Sequence, residues 1–211
     1  MTAQVAGENL VKNTAILLDR DGTIIEDKHY LFDPSGVAVY PGVGQALATL
    51  QEQAARFFVV SNQSGIGRGL FGHEDVVACN EAMSGQLAPF GVRLEDVVFC
   101  PHNPDGQCAC RKPKTGLWEV LQKRHGLTAA HSLMVGDKVE DLLFASNAGL
   151  RLRALVLTGK GEDTAARLGL ALPADLSFAL YLEETRPDYP HLLLRGLDCL
   201  PQALACCTNW P

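Results

Sequence analysis

The chain has 211 residues, 47% hydrophobic and 20% charged, a balance that supports a packed core and excludes a disordered chain. Its formal net charge of −6 and pI near 5.5 exclude a nucleic-acid binder working through a basic face. No run reaches the ~20 apolar residues of a membrane span, and Met1–Asn13 lacks a basic-then-apolar leader pattern, so a cytoplasmic protein without a membrane partner is expected.

The elements alternate along the chain. Ala15–Leu18 (AILL) reads as a short buried strand ending at Asp19. Pro41 opens a helical pattern through Val43, Leu47 and Leu50. Arg56–Ser61 is a second strand, and a loop holding Gly65, Gly67 and Gly69 leads to a helix near His73–Leu87. Asp96–Phe99 reads as a third strand, followed by a cysteine-rich loop. A helix near Leu117–His125, a strand at Ser132–Val135, a helix near Glu140–Ala148 and a strand at Leu152–Leu157 complete the series. After about Gly161 the patterns weaken among prolines at 173, 187, 190, 201 and 211, and the tail is expected to finish the sheet and then drape over the surface. Strand–helix alternation implies an α/β fold, a Rossmann-like parallel sheet with helices on both faces. The length fits one domain over 1–211.

Ligands of such sheets bind beyond the carboxyl ends of the strands. The polar residues placed there are Asp19 and Asp21, then Ser61 and Asn62, then Asp137 and Asp141. In Asp19-Arg20-Asp21-Gly22-Thr23, two carboxylates two residues apart can divide phosphoryl transfer: one attacks phosphorus, the other handles the proton of the leaving group and of water. The same D-x-D-G string occurs in calcium loops, but here a buried strand precedes it and no terminal glutamate follows a helix. Ser61 can donate to a phosphoryl oxygen, and Lys112 is the candidate cation for the transferring group. In Gly136-Asp137-Lys138-Val139-Glu140-Asp141, Asp137 offers a hard oxygen to magnesium, and Asp141 lies one helical turn further on.

Three of the seven cysteines crowd one loop. Cys100, His102, Cys108 and Cys110 form C-x-H-x5-C-x-C, three thiolates and one imidazole suited to a closed tetrahedral zinc site. Four protein ligands leave no open position, so the metal would be structural, and it would fix Arg111 and Lys112, which follow directly. Cys79, Cys199, Cys206 and Cys207 read as ordinary buried or surface thiols.

With these motifs in order, the chain resembles the haloacid dehalogenase superfamily over about residues 14–160: DRDGT, VVSN, the lysine of RKP, and GDKVED match its four motifs. The resemblance implies Asp19 as nucleophile and Asp21 as general acid and base. It implies Ser61 and Lys112 as stabilisers of the phosphoryl group, and magnesium held by Asp19, Asp137 and the carbonyl of Asp21. The run SNQSGIGRG, the zinc loop ending CRKP and GDKVED are similar to the D-glycero-D-manno-heptose 1,7-bisphosphate phosphatases. The histidinol-phosphate phosphatases carry a similar loop and are the alternative, Ser64 favouring the heptose branch. Motif spacing leaves no room for a cap domain, so short loops would contact a small phosphorylated sugar through Arg20, Asp27, His29, Tyr30, Asn62, Gln63 and Ser64. Arg111 would meet the distal phosphate or a sugar hydroxyl, and Lys138 either the substrate or Asp19. A non-catalytic sugar-phosphate sensor would need neither nucleophile nor acid. A monomer is expected, since no heptad seam appears.

Overall fold

The structure, a computed structural model, describes residues 11–182 and 185–207. Pro211 and most of the stretch read for a leader lie outside them.

Short runs of apolar residues become strands here because each is buried on both faces. β1 (Ala15–Leu18) is buried throughout and pairs in parallel with β2 (Arg56–Asn62) on one side and with β4 (Ser132–Gly136) on the other. Between them in sequence lie α1 (Val43–Glu52), α2 (Ser64–Gly67), α3 (His73–Leu87), β3 (Leu94–Cys100) and α4 (Gly116–His125). The chain continues through α5 (Val139–Asn147), β5 (Leu152–Val156), α6 (Gly161–Leu168), β6 (Phe178–Leu180), β7 (Leu192–Leu194) and α7 (Leu200–Cys206).

The strands form one sheet in the order β3-β2-β1-β4-β5-β7-β6, parallel except for the antiparallel edge strand β6. Alternation along β1 sorts the core. Ile16 and Leu18 join a cluster containing Val43, Leu47, Met83, Leu87, Leu200 and Leu204, so α1, α3 and α7 cover that face. Ala15 and Leu17 join Leu117, Trp118, Leu121 and Phe144, so α4 and α5 cover the other, extended by α6 through Ala165. Each fully buried leucine or phenylalanine contributes about 1.5–3 kcal/mol over its exposed state. The strand order reverses between β1 and β4, and that crevice is where the fold places a ligand.

Three details depart from the sequence expectation. The third strand runs from Leu94 to Cys100 rather than from Asp96 to Phe99, so the first thiol of the cysteine loop is fixed by the sheet. The glycine loop contains the turn of helix α2, whose glycines hid it from a propensity reading. The tail does not drape over the surface: Leu192, Leu194, Leu197, Leu200, Ala203, Leu204 and Cys207 are buried in the main core.

Candidate active site

Asp19 ends β1 with its amide bonded to the Val135 carbonyl of β4 (2.9 Å), so the sheet itself aims its carboxylate into the crevice. Gly22, at φ +88°, lets the chain turn at once; a Cβ there would collide with the Asp137 carboxylate. Lys112, 3% exposed, reaches Asp19 Oδ1 (2.9 Å), Asp141 Oδ1 (2.5 Å) and the Val60 carbonyl (2.6 Å). Asp141 also begins α5, its Oδ2 accepting from the Lys138 amide (3.1 Å). Asp137, fully buried, accepts from the Lys160 amide at Oδ2 (2.8 Å), and its carbonyl accepts from the Thr164 hydroxyl (3.0 Å).

These carboxylates are held with different electrostatics. Burial pushes Asp19 up, but the ammonium groups of Lys112 and Lys138 outweigh it and hold the carboxyl below its ordinary range. Burial works against the charge of Lys112, but Asp141 and Asp19 more than compensate and raise its pKa. Asp137 is driven up to about 7, by burial first and also by the neighbouring charges of Asp19 and Asp141, against the pull of Lys138.

A cation suits the crevice. The ammonium of Lys138 lies against Asp137 Oδ1 (2.9 Å), the Asp21 carbonyl (3.3 Å) and Asp19 Oδ2 (3.5 Å). Those are the three oxygens that sequence reasoning gave to magnesium, all hard donors. Carboxylate oxygens of Asp19, Asp137 and Asp141 lie within 4.8 Å of one another, a set that could hold a metal. Of the two alternatives open for Lys138, the ion pair with Asp19 is formed, and the same side chain borders the cavity above.

That cavity, about 240 Å³, is bordered by every residue expected to touch substrate: residues 19–21, Asp27, His29, Tyr30, residues 61–64, Arg111, Lys112 and Lys138. It is also bordered by Asp141, which the sequence placed at the strand ends without a role, and by Leu31, Gly65 and Glu140, which had been given none. His29 (φ +48°) and Tyr30 (φ +61°) both adopt the left-handed region, unusual for such residues and a sign of a loop shaped for contact. The side chain of Arg20 corrects one expectation. It is buried and bonded to the Asp21 carboxylate and to Asn80, so its guanidinium is not directed at a substrate. Gln63 donates to both Ser61 Oγ (2.7 Å) and Asp21 Oδ2 (2.8 Å). Arg111 has a buried guanidinium nitrogen with no hydrogen-bond partner among the described residues.

Beside the cavity, Cys100, His102, Cys108 and Cys110 bring three sulfurs and an imidazole nitrogen within 4.8 Å of one another, and all the thiols are free. Cys100 Sγ stands 3.7 Å from Cys108 Sγ and 3.5 Å from His102 Nδ1. Ligand separations of roughly 3.5–3.8 Å are what tetrahedral bonds of about 2.3 Å to sulfur and 2.0–2.1 Å to nitrogen require; Cys110 Sγ, 3.1 Å from both Cys100 Sγ and His102 Nδ1, stands closer than that. Burial, with the neighbouring thiols, pushes Cys100 up to about 12. For Cys108 burial works upward but is outweighed by the Arg111 amide and the neighbouring thiols, which bring it down to about 7. The thiols thus differ in how readily they ionise, and binding a metal would displace the proton of each. The loop is stitched to the strand beside it: Asn62 Oδ1 accepts from the Lys112 amide (3.0 Å), and Asn62 Nδ2 donates to the Lys112 carbonyl (3.2 Å).

Comparison with known proteins places these features in a family. Residues 109–180 match a family model described as HAD-hydrolase-like. A D-glycero-β-D-manno-heptose-1,7-bisphosphate 7-phosphatase from Haemophilus ducreyi is 42% identical over 69% of this chain and 84% of its own length. That of Vibrio cholerae is 37% identical over 86% and 96%. A solved D,D-heptose 1,7-bisphosphate phosphatase from B. bronchiseptica, complexed with magnesium and phosphate, superposes with a TM-score of 0.76. It is 32% identical and covers 92% of this chain and 98% of its own.

Proposed function

The chain belongs to the family of D-glycero-β-D-manno-heptose-1,7-bisphosphate 7-phosphatases, and from that premise we propose that it hydrolyses the C7 phosphate of the β anomer through an aspartyl-phosphate on Asp19. The observation that carries this reading is the division of labour between two adjacent cations on one cavity. Lys112 is locked beside the nucleophile, while Arg111 keeps an unpaired donor for a second anionic group. A bisphosphate needs both. The β preference rests on the names of the relatives.

In the first half-reaction an Asp19 oxygen bonds to phosphorus, the bond from phosphorus to O7 breaks, and Asp21 passes its proton to the leaving oxygen. In the second, Asp21 takes a proton from water as the water oxygen attacks the phosphoryl group, and Asp19 leaves as a carboxylate. Ser61 and Lys112 hold the phosphoryl oxygens. Asp19, Asp137 and the Asp21 carbonyl would hold magnesium, which when bound screens the repulsion between carboxylate and phosphate dianion. Cys100, His102, Cys108 and Cys110 would hold zinc as a closed structural site. Its need for reduced thiols supports a cytoplasmic setting.

The test is phosphate release with magnesium from both anomers of the heptose bisphosphate, histidinol phosphate and fructose 1,6-bisphosphate. The expected result is a kcat/KM advantage of about a hundredfold, roughly 2.7 kcal/mol, for the β heptose bisphosphate. An equal preference for histidinol phosphate would overturn the substrate assignment.

A further inference from the structure

Arg20 occupies the position between the two working aspartates; its backbone serves Asp19, but its guanidinium is turned to Asp21 and to α3. Its Nε and Nη2 grip the Asp21 carboxylate at 3.0 and 3.1 Å, and Nη1 donates to Asn80 Oδ1 on α3 at 3.0 Å. Arg20 is completely buried, and Asn80 is 9% exposed. Asp21 itself remains in contact with the cavity. From the far side, Gln63 donates to Asp21 Oδ2. The two oxygens of Asp21 are thus treated unequally. Oδ2 receives Arg20 Nε and Gln63 Nε2, and Arg20 Nη2 lies 3.0 Å from it, whereas among the described residues Oδ1 is met by Arg20 Nη2 alone.

We propose that Asn80 and Arg20 are positioning residues for Asp21: α3, through Asn80, sets the plane of the guanidinium, and the guanidinium sets the carboxylate so that Oδ1 is the oxygen left to exchange a proton with substrate. The inference rests on the role given to Asp21 above. A planar fork can fix a carboxylate plane, which a point charge cannot. A buried amide can in turn fix the fork, since a buried donor without its acceptor is costly. The proton leaves Asp21 Oδ1 for the departing oxygen in the first half-reaction and returns to the same atom from water in the second. Arg20 and Asn80 exchange nothing.

Proton donation matters for a sugar alkoxide and hardly at all for p-nitrophenolate, a leaving group that departs as an anion. The experiment therefore reads pre-steady-state release of the leaving alcohol or phenol, which isolates the first half-reaction. For Asn80→Leu, which keeps size and removes the acceptor, release from the heptose bisphosphate should slow about tenfold, a fraction of the 10²–10⁴ that a positioned acid supplies. Release from p-nitrophenyl phosphate should stay within about twofold. Asn80→Asp, which keeps the acceptor, should restore the heptose rate to within about threefold. Arg20→Lys, which keeps the charge and loses the fork, should show the same split as Asn80→Leu and serves if that variant fails to fold. Equal losses on both substrates, or no loss on either, would overturn the proposal. If the unmutated enzyme ignores heptose bisphosphate, the functional reading fails separately. The split is then read on whichever alkyl phosphate of the panel it hydrolyses.

Discussion

The carboxylate cluster and the cysteine cluster stand side by side, and they are assembled in opposite ways. Asp19, Asp137 and Asp141 come from the end of β1, the turn after β4 and the first turn of α5, and each is bonded to the backbone or to a lysine of another segment. Cys100, His102, Cys108 and Cys110 come from one loop rich in proline, glycine and polar residues, with only Cys100 anchored in a strand. In the first case the fold holds the ligands, and the lysines balance their charge. In the second, the ligands could hold a metal, and on the reading proposed above that metal would hold the loop. A cation should therefore be needed for chemistry in one cluster and for shape in the other.

The sharpest blow to the first cluster is Asp19→Asn. Turnover should fall on the order of 10⁴-fold or more, with circular dichroism unchanged; near-normal kcat would remove Asp19 as the nucleophile. Leaving magnesium out of the assay should stop turnover while zinc content, measured by elemental analysis, stays the same. If the charges rather than the packing hold this cluster, Asp141→Asn should cost about 3 kcal/mol in urea unfolding, because Lys112 stays buried with one partner fewer. An unchanged midpoint would mean that packing holds it.

In the second cluster, Cys108→Ser should release zinc and slow turnover about ten- to a hundredfold by loosening Lys112, and zinc-free unmutated protein with full activity would end the structural-site reading. A baseline lies away from both clusters. Burial pushes Asp96 up, but hydrogen bonds from His125 and Arg124 more than offset it, so its carboxyl sits below the ordinary range. A depressed carboxyl stabilises above its unfolded pKa of about 3.9, and that contribution fades as pH falls through the folded value. Asp96→Asn should therefore cost under about 1 kcal/mol at pH 7, and its difference from the unmutated protein should shrink below about pH 4.

Much of this was legible in the residues. A short apolar run followed at once by a carboxylate marks a parallel strand and its ligand end, which is why Asp19 and Asp137 could be placed without coordinates. The cysteine spacing is equally local. What failed was decided at a distance. Arg20 could face cavity or interior, and only Asn80, brought in by α3, decides. Asp141 had been read as a neighbour of Asp137, and its bond to Lys112 depends on how the cysteine loop returns across the sheet. The tail was obscure because β6 and β7 are three residues each, too short to show a period between prolines.

The double bond between the Asn62 side chain and the backbone of Lys112 has a consequence for rebuilding the protein. It indexes the lysine's peptide unit to the second strand, while the cysteine loop leads directly into the same residue. A replacement for the segment between Pro101 and Cys110 would therefore keep the lysine's backbone on the strand as long as Asn62 stays, but the pairing of its ammonium with Asp19 would still answer to how firmly that segment is held.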